Sequence, residues 1–153
     1  MAYISAPIVT RPANTDAYTA GDVVGGLIRF VGIGPTSDHI LVTAFDLTAR
    51  ITAIPSGMTS FRLHIYNDIP SAIADNAAWD LPAGDRAYYL GYIDSAIMTD
   101  LGSTCYAQAD WVNKQFKLGE NHTSLYAYLQ TIGGYTPAGN SEVYVPRLRA
   151  VGL

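Results

Sequence analysis

The residues able to do acid–base or metal chemistry are few in this chain of 153 residues, and they lie far apart. Its three histidines are His39, His64 and His122, and no two of them have the HxH or HExxH spacing of a zinc site. Several aspartates stand beside Gly or Asn, where carboxylates usually close turns. A glycosidase requires two carboxylates that face each other across a cleft, and the sequence shows no such pair. We therefore predict that the protein is not an enzyme and that it holds no metal ion and no cofactor.

The glycine-rich stretch GDVVGG, residues 21–26, has some features of a phosphate-binding loop. A Walker loop requires Lys and then Ser or Thr directly after its last glycine, whereas Leu27 follows here. The dinucleotide pattern GxGxxG is also missing. We therefore expect a glycine bend or β-bulge between two strands. The single cysteine, Cys105, alternates with alanines and is expected to be a small buried residue.

The elements that must position these residues are short strands. Four segments alternate in polarity with period two, the pattern of strands with one buried face. They are HILVTAFDLTARI (39–51), FRLHIYND (61–68), STCYAQADW (103–111) and SLYAYLQTI (124–132). In the first, we expect every other residue from Leu41 to Ile51 to face the core. A fifth segment, EVYVPRLRAVGL (142–153), contains Pro146, which cannot donate to a strand ladder and favours an edge strand or a bulge.

Turn signals separate these strands, as in IPSGM (54–58) and LPAGD (81–85), and only Ser71–Trp79 indicates a short helix. We predict an all-β fold, an antiparallel β-sandwich arranged as a jelly roll, with at most one short helix. An immunoglobulin-like sandwich is the rival, and the lack of paired cysteines weighs only slightly against it. The length predicts one domain over residues 1–153, in which residues 1–25 form an extended N-terminal arm and first turn.

The chain is poor in charge. Charged residues make up 14% of it, against about 25% in ordinary soluble domains. Lys and Glu are especially rare, and the first of them is Lys114, followed by Lys117 and Glu120. Interface cores are depleted in Lys and Glu and enriched in Tyr, of which this chain has 11. The composition fits a surface covered by partners, and equally a neutral β-protein kept soluble by Ser, Thr and Asn.

The same composition argues against two classes of partner. The net charge is −4, whereas nucleic acid binding requires a basic patch, so we expect no nucleic acid partner. No apolar run reaches the roughly 20 residues of a membrane helix, so we expect no membrane partner. The start of the chain, MAYISAPIV, lacks the basic region and long apolar centre of a signal peptide, and we expect no secretion by the standard route.

Tyrosines supply the best candidates for binding. Tyr126 and Tyr128 project from the same side of one predicted strand. On an exposed sheet face, such rings stack on sugars or anchor a protein interface. The alternative, of equal weight, is that they pack beneath loops.

Three stretches carry a resemblance to a known group of proteins. RPANTDAYTAGDVVG (11–25), residues 53–94, and residues 100–118 together with VPRLRAVGL (145–153) resemble small head proteins of tailed bacteriophages, encoded near the major capsid protein. The resemblance implies a capsid cement or decoration protein with a jelly-roll fold. It also implies the major capsid protein and further copies of the chain itself, as a dimer or trimer, as partners. The implied location is the capsid exterior, after assembly in the bacterial host cytoplasm.

No binding residue follows from that resemblance, so the candidate interface comes from the residues alone. Pro12 holds the chain away from helix, Asn14 closes a local turn, and Arg11 and Tyr18 are expected to touch a partner. The alternative for this segment is a first strand and loop, with Tyr18 in the core. The full set of predicted interface residues is Arg11, Asn14, Tyr18, Arg62, Tyr126 and Tyr128.

A second function from a different class stays open at this point. A carbohydrate- or receptor-binding sandwich of a phage fibre or tail would use Tyr126, Tyr128 and Trp111 as a stacking platform. A hydrolase on a β scaffold would require the converging carboxylate pair that the sequence does not show.

Overall fold

The computed structural model describes residues 1–109 and 111–153, and this part of the chain contains eleven strands and no α-helix. The strands are β1 (Ala2–Ser5), β2 (Val9–Thr10), β3 (Val23–Phe30), β4 (His39–Ala49), β5 (Phe61–Tyr66), β6 (Tyr89–Asp94), β7 (Thr99–Asp100), β8 (Cys105–Ala109), β9 (Lys114–Lys117), β10 (Leu125–Thr131) and β11 (Val143–Gly152). One turn of 3-10 helix covers Ala83–Asp85. The strand predicted at 103–111 is found over Cys105–Ala109, and Asp110 lies outside the described residues.

The strands form two antiparallel sheets. The seven-stranded sheet has the order β1-β11-β4-β8-β7, with β2 also paired to β11 and β9 also paired to β4. The four-stranded sheet has the order β3-β10-β5-β6. If β1 with β2, and β8 with β9, each count as one interrupted strand, this is the strand order of a jelly roll. The predicted all-β jelly-roll sandwich is confirmed.

The core lies between the two sheets and is built from alternate residues of each strand. β5 and β10 contribute their predicted apolar faces, and the β8 cysteine and alanines pack against them from the other sheet. The members from these three strands are Phe61, Leu63, Ile65, Cys105, Ala107, Leu125, Ala127 and Leu129. Period two in the sequence therefore identified the inward face of these strands correctly.

The alternation along β4 changes face in the middle of the strand, so the prediction for its first half is wrong. From Phe45 onward the odd-numbered residues are buried as expected, but Leu41 and Thr43 are half exposed and Val42 between them is buried. The pairing of β4 with β11 shifts by one residue between Val42 and Ala44. A bulge of this kind moves the following side chains to the opposite face.

Two further local predictions have different outcomes. β11 is an interior strand, not an edge strand. On one side of it, pairing with β2 ends at Tyr144 and pairing with β1 begins at Leu148, so Pro146 lies at the gap between these two neighbours. The glycine bulge is found, within β3 and not between strands, where the pairing with β10 shifts. Gly25 has φ +78° there, and a Cβ on it would lie 2.3 Å from Cγ1 of Val9, so a larger residue does not fit.

Residues 67–88, here called the cover segment, connect β5 to β6 and cross the outer face of the four-stranded sheet. The helix predicted over Ser71–Trp79 is absent, because the backbone of this stretch pairs with the edge of β3. The N–H groups of Asn76 and Trp79 donate to the carbonyls of Val23 and Gly21. Pairing with a neighbouring strand satisfies the groups that a helix would bond internally.

Candidate interaction surface

An aromatic network holds the cover segment on the four-stranded sheet. His64 of β5 is buried, and its imidazole stacks on the indole of Trp79 with ring centroids 3.6 Å apart. Gln130 donates through Nε2 to the Gly21 carbonyl, so its Oε1 is free to accept from His64 Nε2 at 2.8 Å. His64 Nδ1 therefore accepts from the Tyr89 hydroxyl at 2.9 Å. Burial lowers the pKa of His64 to about 4, so the ring is neutral at pH 7.

The tyrosines of β10 belong to the same network. Tyr126 and Tyr128 are only 4% and 1% exposed, because the cover segment lies over them. The Tyr128 hydroxyl accepts from the Ile73 N–H at 3.1 Å and donates to the Ser71 carbonyl at 2.9 Å. The exposed platform that an interface or sugar site requires is therefore absent at these two rings, and the alternative, packing beneath a loop, is confirmed. His64 of β5 is buried beneath the same cover segment.

A second set of hydrogen-bonded side chains connects the opening stretch of the chain to the cover segment. Arg11 is buried and donates through Nε to the Tyr18 hydroxyl at 2.7 Å. That hydroxyl donates to Asp75 Oδ1 at 2.5 Å, and the same oxygen accepts from the Gly25 N–H. Burial and the hydrogen bond to Asp75 raise the pKa of Tyr18 well above its usual value.

This arrangement corrects the prediction that Arg11 and Tyr18 touch a partner. Both side chains are enclosed by their own chain, and Tyr18 pairs with Tyr135 through the backbone. The segment is a loop packed on the sandwich and not a free arm, and Tyr18 lies in the core, as the alternative had it. The sequence alone did not indicate the ion-pair partner of Arg11, because Glu142 lies 131 positions further along the chain.

The two remaining predicted interface residues keep accessible side chains, and their role stays a prediction. Asn14 is half exposed and accepts the N–H of Asp16 at 3.2 Å, which is the expected local turn. Arg62 forms a two-point ion pair with Asp94, at 2.7 and 3.0 Å. Its guanidinium lies over the ring of Tyr92, 3.9 Å from the centroid. An arginine that forms two hydrogen bonds to one carboxylate and stacks on an aromatic ring is a frequent interface residue.

The outer face of the seven-stranded sheet, here called the bare face, has no cover segment within the described residues. Its side chains alternate with the buried Tyr144, Leu148 and Ala150 of β11. Those at least partly accessible to solvent include Ile4, Leu41, Thr48, Tyr106, Val143, Val145, Arg147, Arg149 and Val151. In register, Val145 lies opposite Thr48, which lies opposite Tyr106, and Ile4 lies opposite Arg149. The result is a sheet surface on which aliphatic side chains reach solvent.

The carboxylate of Asp46 pairs with two arginines at the centre of the bare face. Asp46 is buried, and it accepts from Arg147 Nε at 3.1 and 3.0 Å and lies 2.9 Å from Arg147 Nη2. Arg149 Nη2 lies 3.8 Å from the same carboxylate. Among the described residues, two cations share one anion here, so the surroundings of Asp46 carry a small positive excess on a chain whose net charge is negative.

Sequence reasoning did not single out the bare face, although β11 contains a signal for it. Val143, Val145 and Val151 fall on the outward side, while the inward side is also apolar. A strand with apolar residues on both sides indicates a sheet that is covered on both faces, although Arg147 and Arg149 interrupt the outward side here. Nothing in the described part of the chain covers this one.

The described residues contain no group of three His, Cys, Asp or Glu side chains placed to hold a metal ion. Burial raises the pKa of Cys105, the opposite of what a nucleophilic thiol requires. None of the helical structure in these residues is long and apolar enough to cross a membrane.

Comparison with known proteins gives likeness in structure alone. No protein-family model and no curated protein matches the sequence. A lipoprotein from Bacteroides thetaiotaomicron is similar with a TM-score of 0.39 and 9% identity, over 97% of this chain and 78% of that one. A chain of the Israeli acute paralysis virus particle is similar with a TM-score of 0.31 and 11% identity, over 100% and 73%. A chain of the Kashmir bee virus virion gives 0.31 and 13%, also over 100% and 73%. The overlap is low in each case, so the assignment of a jelly roll rests on the strand order described above.

Proposed function

We propose that this chain is a structural virion protein that binds the outside of a tailed-bacteriophage capsid and stabilises the shell, as a cement or decoration protein. The observation that carries the proposal is the bare face: a jelly roll whose one sheet is covered by its own chain and whose other sheet exposes aliphatic side chains. The sequence resemblance to small phage head proteins points in the same direction.

The size of the bare face suits a protein interface. Ten residues of β11 extend for about 30 Å, and four strand positions span about 20 Å across the sheet. That gives an area of about 600 Å², close to the roughly 800 Å² that each partner contributes to a standard interface. A flat sheet of this size matches a broad protein surface better than a small molecule, which requires a concave pocket.

The chemistry of the bare face favours a polypeptide partner with acidic groups at the contact. Val145 and Val151 supply apolar area, and Tyr106 and Arg147 are residue types enriched in interfaces. The positive excess around Asp46 is complementary to a carboxylate on the partner. A partner that binds only the assembled shell stabilises it by mass action, and the gain repeats at every copy around the shell.

Two of the three rings predicted to stack on sugars are not available for carbohydrate binding, because Tyr126 and Tyr128 lie beneath the cover segment. Trp111 alone keeps an exposed ring. A single ring at one exposed turn is a weak sugar platform, since sugar sites combine stacking with several polar contacts.

The proposal is tested by adding the purified protein to heads of the phage that encodes it, assembled without it. We expect saturable co-sedimentation with the heads and an increase in the temperature at which they rupture. A protein that never sediments with heads at any concentration, or heads whose rupture temperature is unchanged at saturation, would contradict it. Glycan binding that is lost in Trp111→Ala would favour the carbohydrate function instead.

A further inference from the structure

Strand β1 forms one edge of the seven-stranded sheet. Within the described residues, its backbone pairs with β11 on one side only, and the other side is here called the free edge. We propose that β1 of one copy of the chain pairs with β1 of a second copy, antiparallel and about a two-fold axis. The seven-stranded sheets of the two copies then form one continuous sheet.

The free edge presents backbone groups that β11 does not use. The N–H of Gly152 donates to the Met1 carbonyl, so Met1 is bonded to β11. Bonded and non-bonded residues alternate along an antiparallel pair, and the odd-numbered residues of β1 therefore face β11. Ala2 and Ile4 each direct one N–H and one C=O the other way. A further strand at this edge would satisfy these groups.

The side chains of β1 leave the free edge open. The ring of Tyr3 lies over β11, since a Cβ on Gly152 would be 3.5 Å from Tyr3 Cε2. Ile4 is 64% exposed, on the bare face, and Ser5 is buried. Residues 1–10, MAYISAPIVT, contain no Asp, Glu, Lys, Arg or His. An exposed edge with apolar side chains and no charge is a template for pairing with another chain.

The other edge strands each carry a feature that hinders such pairing. The backbone of β3 is bonded to the cover segment at Val23, and at β6 the Lys114 side chain donates to the Tyr92 carbonyl. β9 carries Lys114 and Lys117, and β2 and β7 have only two residues each. Covering, lysines and short strands are the usual means by which proteins block edge pairing. β1 is longer and has neither a cover nor a lysine.

The free edge is complementary to itself, and this favours a second copy over an unlike partner. In a two-fold pairing centred on Tyr3, Ala2 lies opposite Ile4 of the second copy, and Ile4 lies opposite its Ala2. This register uses every outward N–H and C=O group of Ala2 and Ile4 in both copies. A two-fold axis also brings identical residues close together, so a charge there would meet a like charge. The uncharged sequence of residues 1–10 avoids that repulsion.

This inference deepens the proposed function and rests on it for its purpose. Ile4 lies on the bare face, so pairing at β1 makes the bare faces of two copies continuous, with a combined area of about 1,200 Å². A dimer then attaches through two equivalent surfaces, and the second contact forms at a raised effective concentration.

The test of the pairing uses no capsid, so its outcome is separate from that of the capsid experiment. Self-association without head binding would remove the capsid proposal and leave the pairing in place. Head binding by a protein that is monomeric at every concentration would remove the pairing and leave the capsid proposal.

Amide hydrogen exchange at low and high protein concentration, followed by NMR, reads the pairing residue by residue. We expect exchange at Ile4 to slow about tenfold or more at high concentration, as sedimentation velocity shows dimers form. Exchange at Tyr3 and Ser5, which face β11, should be slow at both concentrations. A dimer in which the Ile4 amide exchanges as fast as in the monomer would overturn the proposal.

Two charge variants test the register. Ala2→Glu and Ile4→Lys each place a charge at the free edge, and we expect each to weaken self-association about tenfold or more. In a one-to-one mixture, the new carboxylate at position 2 of one copy lies opposite the new ammonium group at position 4 of the other. The mixture should therefore associate more strongly than either variant alone. Ile97→Lys makes a matched change at another exposed isoleucine and should associate like wild type.

Three results of the variant experiment would contradict the pairing. They are variants that associate like wild type, a mixture that associates no better than its components, and self-association that is lost in Val145→Glu but kept in Ile4→Lys. The last result would place the contact between copies on the bare face instead. Circular dichroism confirms that each variant is folded, since the side chains at positions 2, 4 and 97 are exposed.

Discussion

The imidazole of His64 lies flat against the indole of Trp79, with ring centroids 3.6 Å apart and planes inclined by 7°. His64 belongs to the four-stranded sheet and Trp79 to the cover segment, so this one contact joins the two. The indole N–H also donates to the Tyr66 hydroxyl at 3.0 Å. The outer face of that sheet is therefore closed from within the molecule, and the bare face is left as the accessible sheet surface.

Acid should weaken the molecule through His64. Burial lowers the pKa of His64 to about 4, against about 6.5 in the unfolded chain. Between these values the unfolded state binds more protons, so stability is complete above about pH 6.5 and falls as the pH drops towards 4. The loss from this residue amounts to about 3 kcal/mol at most. Urea unfolding at a series of pH values measures it.

His64→Gln is the control for that titration. Glutamine keeps a polar side chain beside Tyr89 and Gln130 and has no ionisable ring. We expect the variant to be less stable than wild type at pH 7 and to lose less stability between pH 6.5 and 4. Parallel stability curves for the two proteins over this range would show that His64 is not the group that titrates.

Trp79 should hold the cover segment closed. Trp79→Ala removes the stacking on His64 and the donor to Tyr66, and we expect the free energy of unfolding to fall by about 3 kcal/mol. Limited proteolysis should then cut within residues 67–88 faster than in wild type. Trp79→Phe keeps an aromatic ring against His64 and is expected to be intermediate. Cleavage of Trp79→Ala at the wild-type rate would mean that other contacts hold the segment.

Arg11 should be a stabilising residue and not a binding one. Arg11→Met leaves Glu142 and the Tyr18–Asp75 pair without their buried cation, and loss of one partner of such a pair costs about 3–5 kcal/mol. Chemical unfolding measures this change. Adding Glu142→Gln removes the stranded charge and should restore part of the stability. A loss below about 1 kcal/mol, the value of an exposed pair, would contradict the buried role.

Strands and their inward faces were predictable because they depend on local alternation. Leu63 and Leu129 lie in segments whose polarity alternates with period two, and both residues face the core as that alternation predicts. The reversal along β4 was not predictable in this way, since the bulge near Ala44 arises from pairing with β11, more than 100 positions further along the chain.

The interface residues were harder to identify, because exposure is a property of the whole fold. Tyr126 and Tyr128 have the sequence context of an exposed face, and only the path of the cover segment buries them. The apparent helix over Ser71–Trp79 has the composition of a helix, but its backbone groups bond to β3 instead. Local preference decides such a segment only where no neighbouring strand offers better partners.

The measurement that tests the bare face most directly compares two Val→Glu variants for binding to phage heads. Val145→Glu places a charge among the aliphatic side chains of the bare face, whereas Val31→Glu makes the same change at an exposed turn after β3, away from it. We expect Val145→Glu to weaken co-sedimentation at least tenfold, or by about 1.4 kcal/mol, and Val31→Glu to bind like wild type. Equal binding by the two folded variants would contradict attachment through the bare face.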